Sequence, residues 1–291
     1  MKKTLKKILN TFSYDLIEYP YSKDQHLYKE LFPMDSLNNR KFYNIGAGDF
    51  SHRYWTNIDF DSEWYSMNRK KTFSGIVYDL LSLTPIPIED STAEIVYSSH
   101  TVEHITDQAA QNMFNEAYRI LKPEGHLRIT TPNIDLYVRA YIQNDKHFFY
   151  WSKNYSKRKK MLRIKLTEQM NNATCGQIFL FEFASSLSKL CAVGVDNKID
   201  DEELSILFQK MKYEEFLNYL ISLCPIEIQK KYPGLHINWW NYNKMYKMLQ
   251  KSGFSKIINS GYGQSFSPIL RNTALFDNTH PRISLYVEAI K

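Results

Sequence analysis

From residue 41 onward the chain alternates between short apolar runs, rich in β-branched and aromatic residues, and longer stretches with helical spacing. The runs are Lys41 to Gly46, Trp55 to Asp59, Gly75 to Leu80, Ala93 to Ser98 and Gly125 to Thr131. Turn-forming residues bound each of them, and each predicts a strand. Between the last two, Ala110, Met113, Phe114, Ala117 and Leu121 repeat at helical spacing, Thr106 is placed to cap them, and Pro123 with Gly125 marks the end. Strands that alternate with helices predict a mainly parallel sheet with right-handed crossovers.

After Thr131 that rhythm stops for about a hundred residues. The stretch opens on the basic and aromatic string HFFYWSKNYSKRKK and turns acidic at Asp200, Asp201 and Glu202. It carries helical patterns over Leu204, Leu207, Phe208 and Met211, and over Phe216, Leu217, Leu220 and Ile221, so a helical insertion is expected. The sheet pattern then returns. A helix over Tyr242, Met245, Tyr246 and Leu249 closes at Gly253, and strands follow at Phe254 to Ser260 and Ile283 to Ile290. The connection between those strands lacks periodicity and is expected to lie over the surface, across a site. Ahead of residue 41, Leu5, Ile8, Leu9 and Phe12 share one helical face ringed by Lys2, Lys3, Lys6 and Lys7, which predicts a helix packed on the domain. The expected organisation is an N-terminal helical segment at 1–40, a core domain at 41–135 and 236–291, and the insertion at 136–235.

Composition narrows the class. The 291 residues are 43% hydrophobic, 15% aromatic and 23% charged, which excludes collagen-like, low-complexity and bulk-disordered chains. No apolar run reaches the ~18 residues of a membrane-spanning helix, and Lys6 and Lys7 interrupt the start of the chain where a secretory signal would be apolar. No integral membrane association is expected, and a cytoplasmic location is. Cys175, Cys191 and Cys224 match neither a disulfide framework nor a metal knuckle and read as reduced, mostly buried thiols. The net charge of +6 permits an anionic partner without demanding one. The block Lys157, Arg158, Lys159 and Lys160 reads as a solvated helix face or as capture of a phosphate, and with no recognised binding motif beside it no nucleic-acid partner is expected.

The chemistry begins at Asn44-Ile45-Gly46-Ala47-Gly48-Asp49, directly after an apolar strand. Two glycines one residue apart allow a sharp turn and a close approach of ligand to main chain. Asp59 ends the next predicted strand and Asp79 the one after it. The C-terminal ends of parallel strands converge on one crevice, so the glycine turn and both carboxylates should line a single edge. One carboxylate can accept the two hydroxyls of a ribose and the other an adenine amino group. A dinucleotide site would instead want GxGxxG with its diphosphate on a helix N-terminus, but Ser51 stands at the third glycine position. A nucleoside without a diphosphate fits better.

The stretches NIGAG, NIDF, YDLLSLTPIPIEDSTAEIVYSSHTVEHI, EAYRILKPEGHLRITTPN and SLYVEAIK occur in an order that resembles the class I S-adenosylmethionine-dependent methyltransferases, over roughly residues 40 to 135 and 236 to 291. The branch they look most like is associated with modification of bacterial polysaccharides and small metabolites. The resemblance implies an α/β, Rossmann-like sheet of seven strands, mainly parallel with an antiparallel last strand, plus the helical insertion. It implies S-adenosylmethionine as cofactor, with Gly46, Ala47 and Gly48 under the methionyl part, Asp59 on the ribose, Asp79 and Leu80 at the adenine, and Ser98 to His100 beside the sulfonium. Asn44 departs from the acidic residue many members carry there, and the short gap from Gly48 to Asp59 leaves little room for the usual first helix. The implied activity is methyl transfer to oxygen or nitrogen of a small acceptor, sugar-like or phosphorylated, in surface polysaccharide (capsule) biosynthesis, with the insertion covering that acceptor. The rival readings are an NAD(P)-dependent Rossmann oxidoreductase and a non-catalytic nucleoside-binding protein.

A hydroxyl acceptor needs a base. His100 is the first candidate and His236, which precedes the aromatic string Trp239, Trp240 and Tyr242, the second. That string and the cluster His147 to Trp151 read as core or as an acceptor pocket. His100-Thr-Val-Glu103-His104 also spells the inverted zinc-peptidase motif HxxEH. That chemistry puts both histidines one turn apart on a regular helix. Here the string starts at a strand end ahead of the helix capped by Thr106, so no metal is expected, and Glu103 and His104 read as local structural or acceptor contacts.

Overall fold

Seven strands form one sheet in the order β3-β2-β1-β4-β5-β7-β6. They are β1 (Phe42–Ile45), β2 (Trp55–Asp59), β3 (Ile76–Val77), β4 (Ala93–Ser99), β5 (Leu121–Pro132), β6 (Lys256–Asn259) and β7 (Ser284–Ile290). β1 to β5 pair in parallel, and β7 runs antiparallel to both β5 and β6. This is the expected Rossmann-like sheet with its antiparallel last strand. The computed structural model describes residues 24–61, 73–150, 166–167, 170 and 172–291. The N-terminal pattern from Leu5 to Phe12, the block Lys157 to Lys160 and Trp151 lie outside the described residues.

Period-two alternation sends strand side chains to two cores. Tyr43, Ile45, Val96, Leu127, Ile129 and Val287 pack on one face with α3 (Asp107–Ile120) and α9 (Tyr242–Lys251). Phe42, Ile95, Tyr97 and Trp55 pack on the other, against Tyr28 of α1 (Gln25–Leu31), Leu37 of α2 (Met34–Asn38) and the segment holding Ile269, Leu270 and Phe276. That segment belongs to the connection between β6 and β7, expected on the surface. Its three apolar side chains, each essentially buried, make it the cover of one sheet face.

α3 forms where the spacing placed it. The Thr106 hydroxyl accepts the Ala109 amide at 3.2 Å, and Ala109, Ala110, Met113, Phe114, Ala117 and Ile120 are buried on one side. Thr106→Ala removes this cap and is expected to lower the stability by about 1 kcal/mol in urea unfolding. The helix stops at Ile120, and Leu121, Pro123 and Gly125 already belong to β5, which joins β4 through a register shift between Ala93 and Ile95.

Between β5 and β6 the chain carries α4 (Ile134–Ile142), α5 (Cys175–Phe181), α6 (Asp201–Lys210), α7 (Tyr213–Ser222) and α8 (Ile226–Lys231) ahead of α9. α4 to α7 share an apolar cluster with Phe149, Leu235 and Trp239. Cys175 and Cys191 are buried, and the three thiols are unbridged, as their spacing suggested. Trp239 and Trp240 are core residues rather than a pocket lining, with the Lys244 ammonium 4.3 and 4.8 Å from their ring centres.

Candidate active site

The C-terminal ends of β1, β2 and β4, with the turn that follows β3, open onto one cavity of about 390 Å³, inside the ~300–1,000 Å³ range of small-molecule sites. Gly46, Gly48, Asp59, Asp79, Leu80, His100 and His104 all reach its wall. The convergence of strand ends predicts this for Gly46, Gly48, Asp59 and Asp79, the family resemblance adds Leu80 and His100, and His104, which the sequence offers as a local structural or acceptor contact, joins them.

Gly46 and Gly48 have φ of +70° and +54°, the left-handed region that favours glycine. A Cβ on Gly46 would overlap the Thr101 side chain, whereas one on Gly48 would meet nothing within 4 Å. The Gly48 position is therefore a bare main-chain cradle. Its amide donates to Asp59 Oδ2 at 2.9 Å, and Asp59 Oδ1 accepts the Phe60 amide at 2.8 Å. This pairing follows from the short link between β1 and β2, in which no helix forms. No helix N-terminus follows the glycine turn, so nothing there is arranged for a diphosphate.

Asp79 does two jobs. Its Oδ1 accepts the Leu81 amide at 2.9 Å and so caps the 3-10 turn Leu80–Ser82, which cuts β3 to two residues and turns Asp79 and Leu80 to the cavity wall. Ala47 is buried and Ser98 is 1% exposed, and neither reaches that wall. The Ser98 hydroxyl donates to the Ile45 carbonyl at 3.0 Å, bracing β4 against β1. Asn44 is likewise buried away from the cavity, with its Oδ1 unpartnered.

His100 follows β4 with φ +52°, its Nε2 2.8 Å from Ser284 Oγ and its Nδ1 3.1 Å from Glu103 Oε1. The His280 ring lies 5.7 Å from it, so the β6–β7 connection does reach the site at its far end. Glu103 is 1% exposed and sits in the 3-10 turn Val102–His104. Burial pushes its carboxyl up, but His100, by its charge and its hydrogen bond, and then the charges of His104 and His236 outweigh that and hold it down at about 2. His236 stands behind the cavity wall rather than in it, its Nδ1 2.6 Å from the Glu182 carbonyl and its ring edge-on to His104 at 4.6 Å. Burial and the neighbouring His104 lower its imidazole to about 4.

The remaining wall comes from Gln229, Lys230, Pro233 and Gly234, at and after the end of α8. Nothing in the sequence pointed to them, because Lys230 reads as one more charge on a short helix. They bring a basic side chain to the same wall as Asp59 and Asp79, and Lys230 pairs at 3.3 Å with Glu227 of its own helix.

Residues 45–129 match the family described as methyltransferase domain. This match supports a methyltransferase core with S-adenosylmethionine as cofactor. No curated protein matches the chain. Among solved structures, a possible histamine N-methyltransferase from Thermotoga maritima, S-adenosylmethionine-dependent, is 11% identical over 100% of both chains, with a TM-score of 0.36. An S-adenosylmethionine-dependent methyltransferase from Archaeoglobus fulgidus is 11% identical over 100% of this chain and 95% of its own, with a TM-score of 0.39. The segment matched by the family begins at Ile45, just ahead of the glycine turn, and ends in β5, so it holds every wall residue contributed by β1 to β4 of the methyltransferase-like core. The open Gly48 cradle and the carboxylates of Asp59 and Asp79, all on one cavity wall, fit the polar groups of an adenosine.

Proposed function

We propose that the protein transfers the methyl group of S-adenosylmethionine to an oxygen or nitrogen of a small acceptor bound beside His100. The observation that carries this reading is the meeting of Gly46, Gly48, Asp59, Asp79 and Leu80 around one cavity of about 390 Å³. Asp59 would accept the ribose hydroxyls, Asp79 and Leu80 would flank the adenine, and the methionyl chain would pass over Gly48. The cofactor supplies an electrophilic methyl carbon on a sulfonium. The chain supplies proximity, alignment and, for a hydroxyl acceptor, a base.

His100 is placed for that last role. Its Nε2 contact is to the neutral Ser284 hydroxyl, which an acceptor hydroxyl can replace, while Nδ1 faces the buried Glu103 carboxylate that steadies an imidazolium. The acceptor oxygen attacks the methyl carbon, the carbon–sulfur electron pair stays on sulfur, and the acceptor proton passes to His100. We place the acceptor among sugars and phosphorylated metabolites of surface polysaccharide synthesis. Lys230, which also lines the cavity, would hold its anionic group. Lys230→Ala is expected to raise KM for a phosphorylated acceptor with kcat retained.

Isothermal titration with S-adenosylmethionine and with its demethylated product tests the donor site. Binding of both is expected, and Asp59→Ala should weaken it roughly tenfold to a hundredfold, the worth of one or two hydrogen bonds to a carboxylate. Failure of the parent protein to bind either compound would remove the proposal. Gly48→Ala should cost about 1–2 kcal/mol of stability for its left-handed φ but meet no protein atom, and should lose cofactor affinity. Mass spectrometry over nucleotide sugars and sugar phosphates, read as addition of one CH₂, would identify the acceptor.

A further inference from the structure

The geometry points to a divalent metal site on the acceptor side of this cavity, built by Glu103, His104 and His236. Each of the three offers one ligand atom, and those atoms lie within 4.8 Å of one another. The spacing argument set a metal aside because His100 and His104 do not share a regular helix, and that part holds: His100 turns away to Ser284. The structure supplies a different donor set, in which the third ligand comes from the loop after α8.

Two features distinguish this cluster from histidines that merely pack together. His104 Nδ1 lies 3.0 Å from the Leu235 carbonyl and His236 Nδ1 lies 2.6 Å from the Glu182 carbonyl. A carbonyl only accepts, so each Nδ1 carries the proton and each Nε2 keeps a lone pair. Metal-binding histidines are held by outer hydrogen bonds of this kind, which fix tautomer and ring orientation. The second feature is Glu103, buried to 1% exposure. Its Oε2 accepts the Thr131 hydroxyl at 3.1 Å, while its Oε1 is held by no hydrogen bond of good geometry and has the His100 imidazole as an ion-pair neighbour at 3.1 Å. Two imidazoles with one nitrogen each left as acceptor, beside a buried carboxylate, form a donor set that a cation would satisfy.

The scaffold is rigid on both sides. The Ile237 amide donates to the Glu103 carbonyl at 2.9 Å, Gln229 Nε2 donates to the His104 carbonyl at 2.7 Å, and His236 exchanges hydrogen bonds with Ser185 through both its main-chain groups. Two nitrogens and one carboxylate oxygen suit first-row ions such as Zn²⁺, Mn²⁺ or Co²⁺ and leave coordination positions open. His104 belongs to the cavity wall, so those positions face the acceptor. This placement rests on the methyl-transfer reading and sharpens it. An acceptor hydroxyl bound to the ion loses its proton more readily. His100 takes that proton, the oxygen forms the new carbon–oxygen bond, and the carbon–sulfur pair leaves on sulfur. The acceptor is therefore a hydroxyl compound rather than an amine.

The test is cobalt binding to the full chain after chelator treatment, read by titration calorimetry and by the ligand-field absorption of Co²⁺. One equivalent is expected, displaced by Zn²⁺. Glu103→Gln and His236→Gln should each weaken it by roughly a hundredfold or more, beyond the ~10–100-fold worth of an outer-shell contact. His100→Gln, which removes an outer contact to Glu103 and no ligand, should weaken cobalt by at most ~10–100-fold and less than either ligand variant. Because a buried variant can unfold, X-ray absorption on the zinc-loaded parent gives a readout without substitution and should count two imidazoles. A parent that binds no cobalt, variants that bind it equally well, or a zinc spectrum without imidazole would each overturn the site. S-adenosylmethionine titrated into Glu103→Gln should bind as in the parent. This separates a failed metal site from a failed donor site.

Discussion

Arg128→Ala is expected to destabilise the fold by roughly 3–5 kcal/mol, the cost of leaving buried charge uncompensated. Arg128 projects from β5 with no exposed surface, and Asp277 and Glu288 beside it are equally buried. Its guanidinium reaches Asp277 at 2.5 and 2.9 Å, Glu288 at 3.1 Å and the Gly261 carbonyl at 2.8 Å. Removing the cation strands two carboxylates in an apolar layer, and it frees the β6–β7 connection that carries Ile269, Leu270 and Phe276 onto the sheet. Urea unfolding measures the effect. A double variant, Arg128→Met with Asp277→Asn, should recover part of the loss, because Asn tolerates the φ of +58° at 277, and Glu288 keeps His126 at 2.8 Å and Ser265 at 3.0 Å. A single variant as stable as the parent would contradict this description of the second core.

The same network sets a pH response. Burial raises the Glu288 carboxyl, but its bond from His126 and the charge of Arg128 bring it below its ordinary 4.5. A carboxyl lowered by folding adds stability above pH 4.5 that is lost as the pH falls through the folded value. The urea midpoint should therefore drop on acidification below that point, and less so in a Glu288→Gln protein.

His100→Gln is expected to lower kcat about 10²–10⁴-fold, the usual worth of a positioned base. S-adenosylmethionine affinity should not change, because the glycine turn and the two aspartates of the donor half are untouched. The pH dependence separates a base from a structural role. If His100 takes the acceptor proton, the acidic limb of the parent's kcat profile should disappear in the variant. A kcat equal to the parent's would assign the proton to another group.

Much of this was legible in the chain. Period-two runs marked the strands, the Thr106 cap and the spacing of Ala110, Met113 and Phe114 marked α3, and Gly46, Gly48, Asp59 and Asp79 marked the cavity because strand ends must converge. What stayed hidden depends on long-range contact. Ile269, Leu270 and Phe276 have no period of their own, and contacts from distant residues, Arg128 and Tyr97 to Asp277 and Asp24 to Asn272, make their connection a core layer. His104 and His236 lie far apart in sequence, and no local pattern pairs them. Pro123 and Gly125, which usually end a helix, here lie in the irregular start of β5. The shortening of β3 follows from Asp79 spending one oxygen on a cap, a choice that composition does not reveal.

The most direct test is a crystal structure of the protein with S-adenosylhomocysteine. The account predicts the ribose hydroxyls on Asp59, the adenine between Asp79 and Leu80, the amino-acid chain over Gly48, and sulfur on the His100 side of the cavity. Density for the ligand elsewhere, or an Asp59 that makes no contact with the ribose, would contradict it.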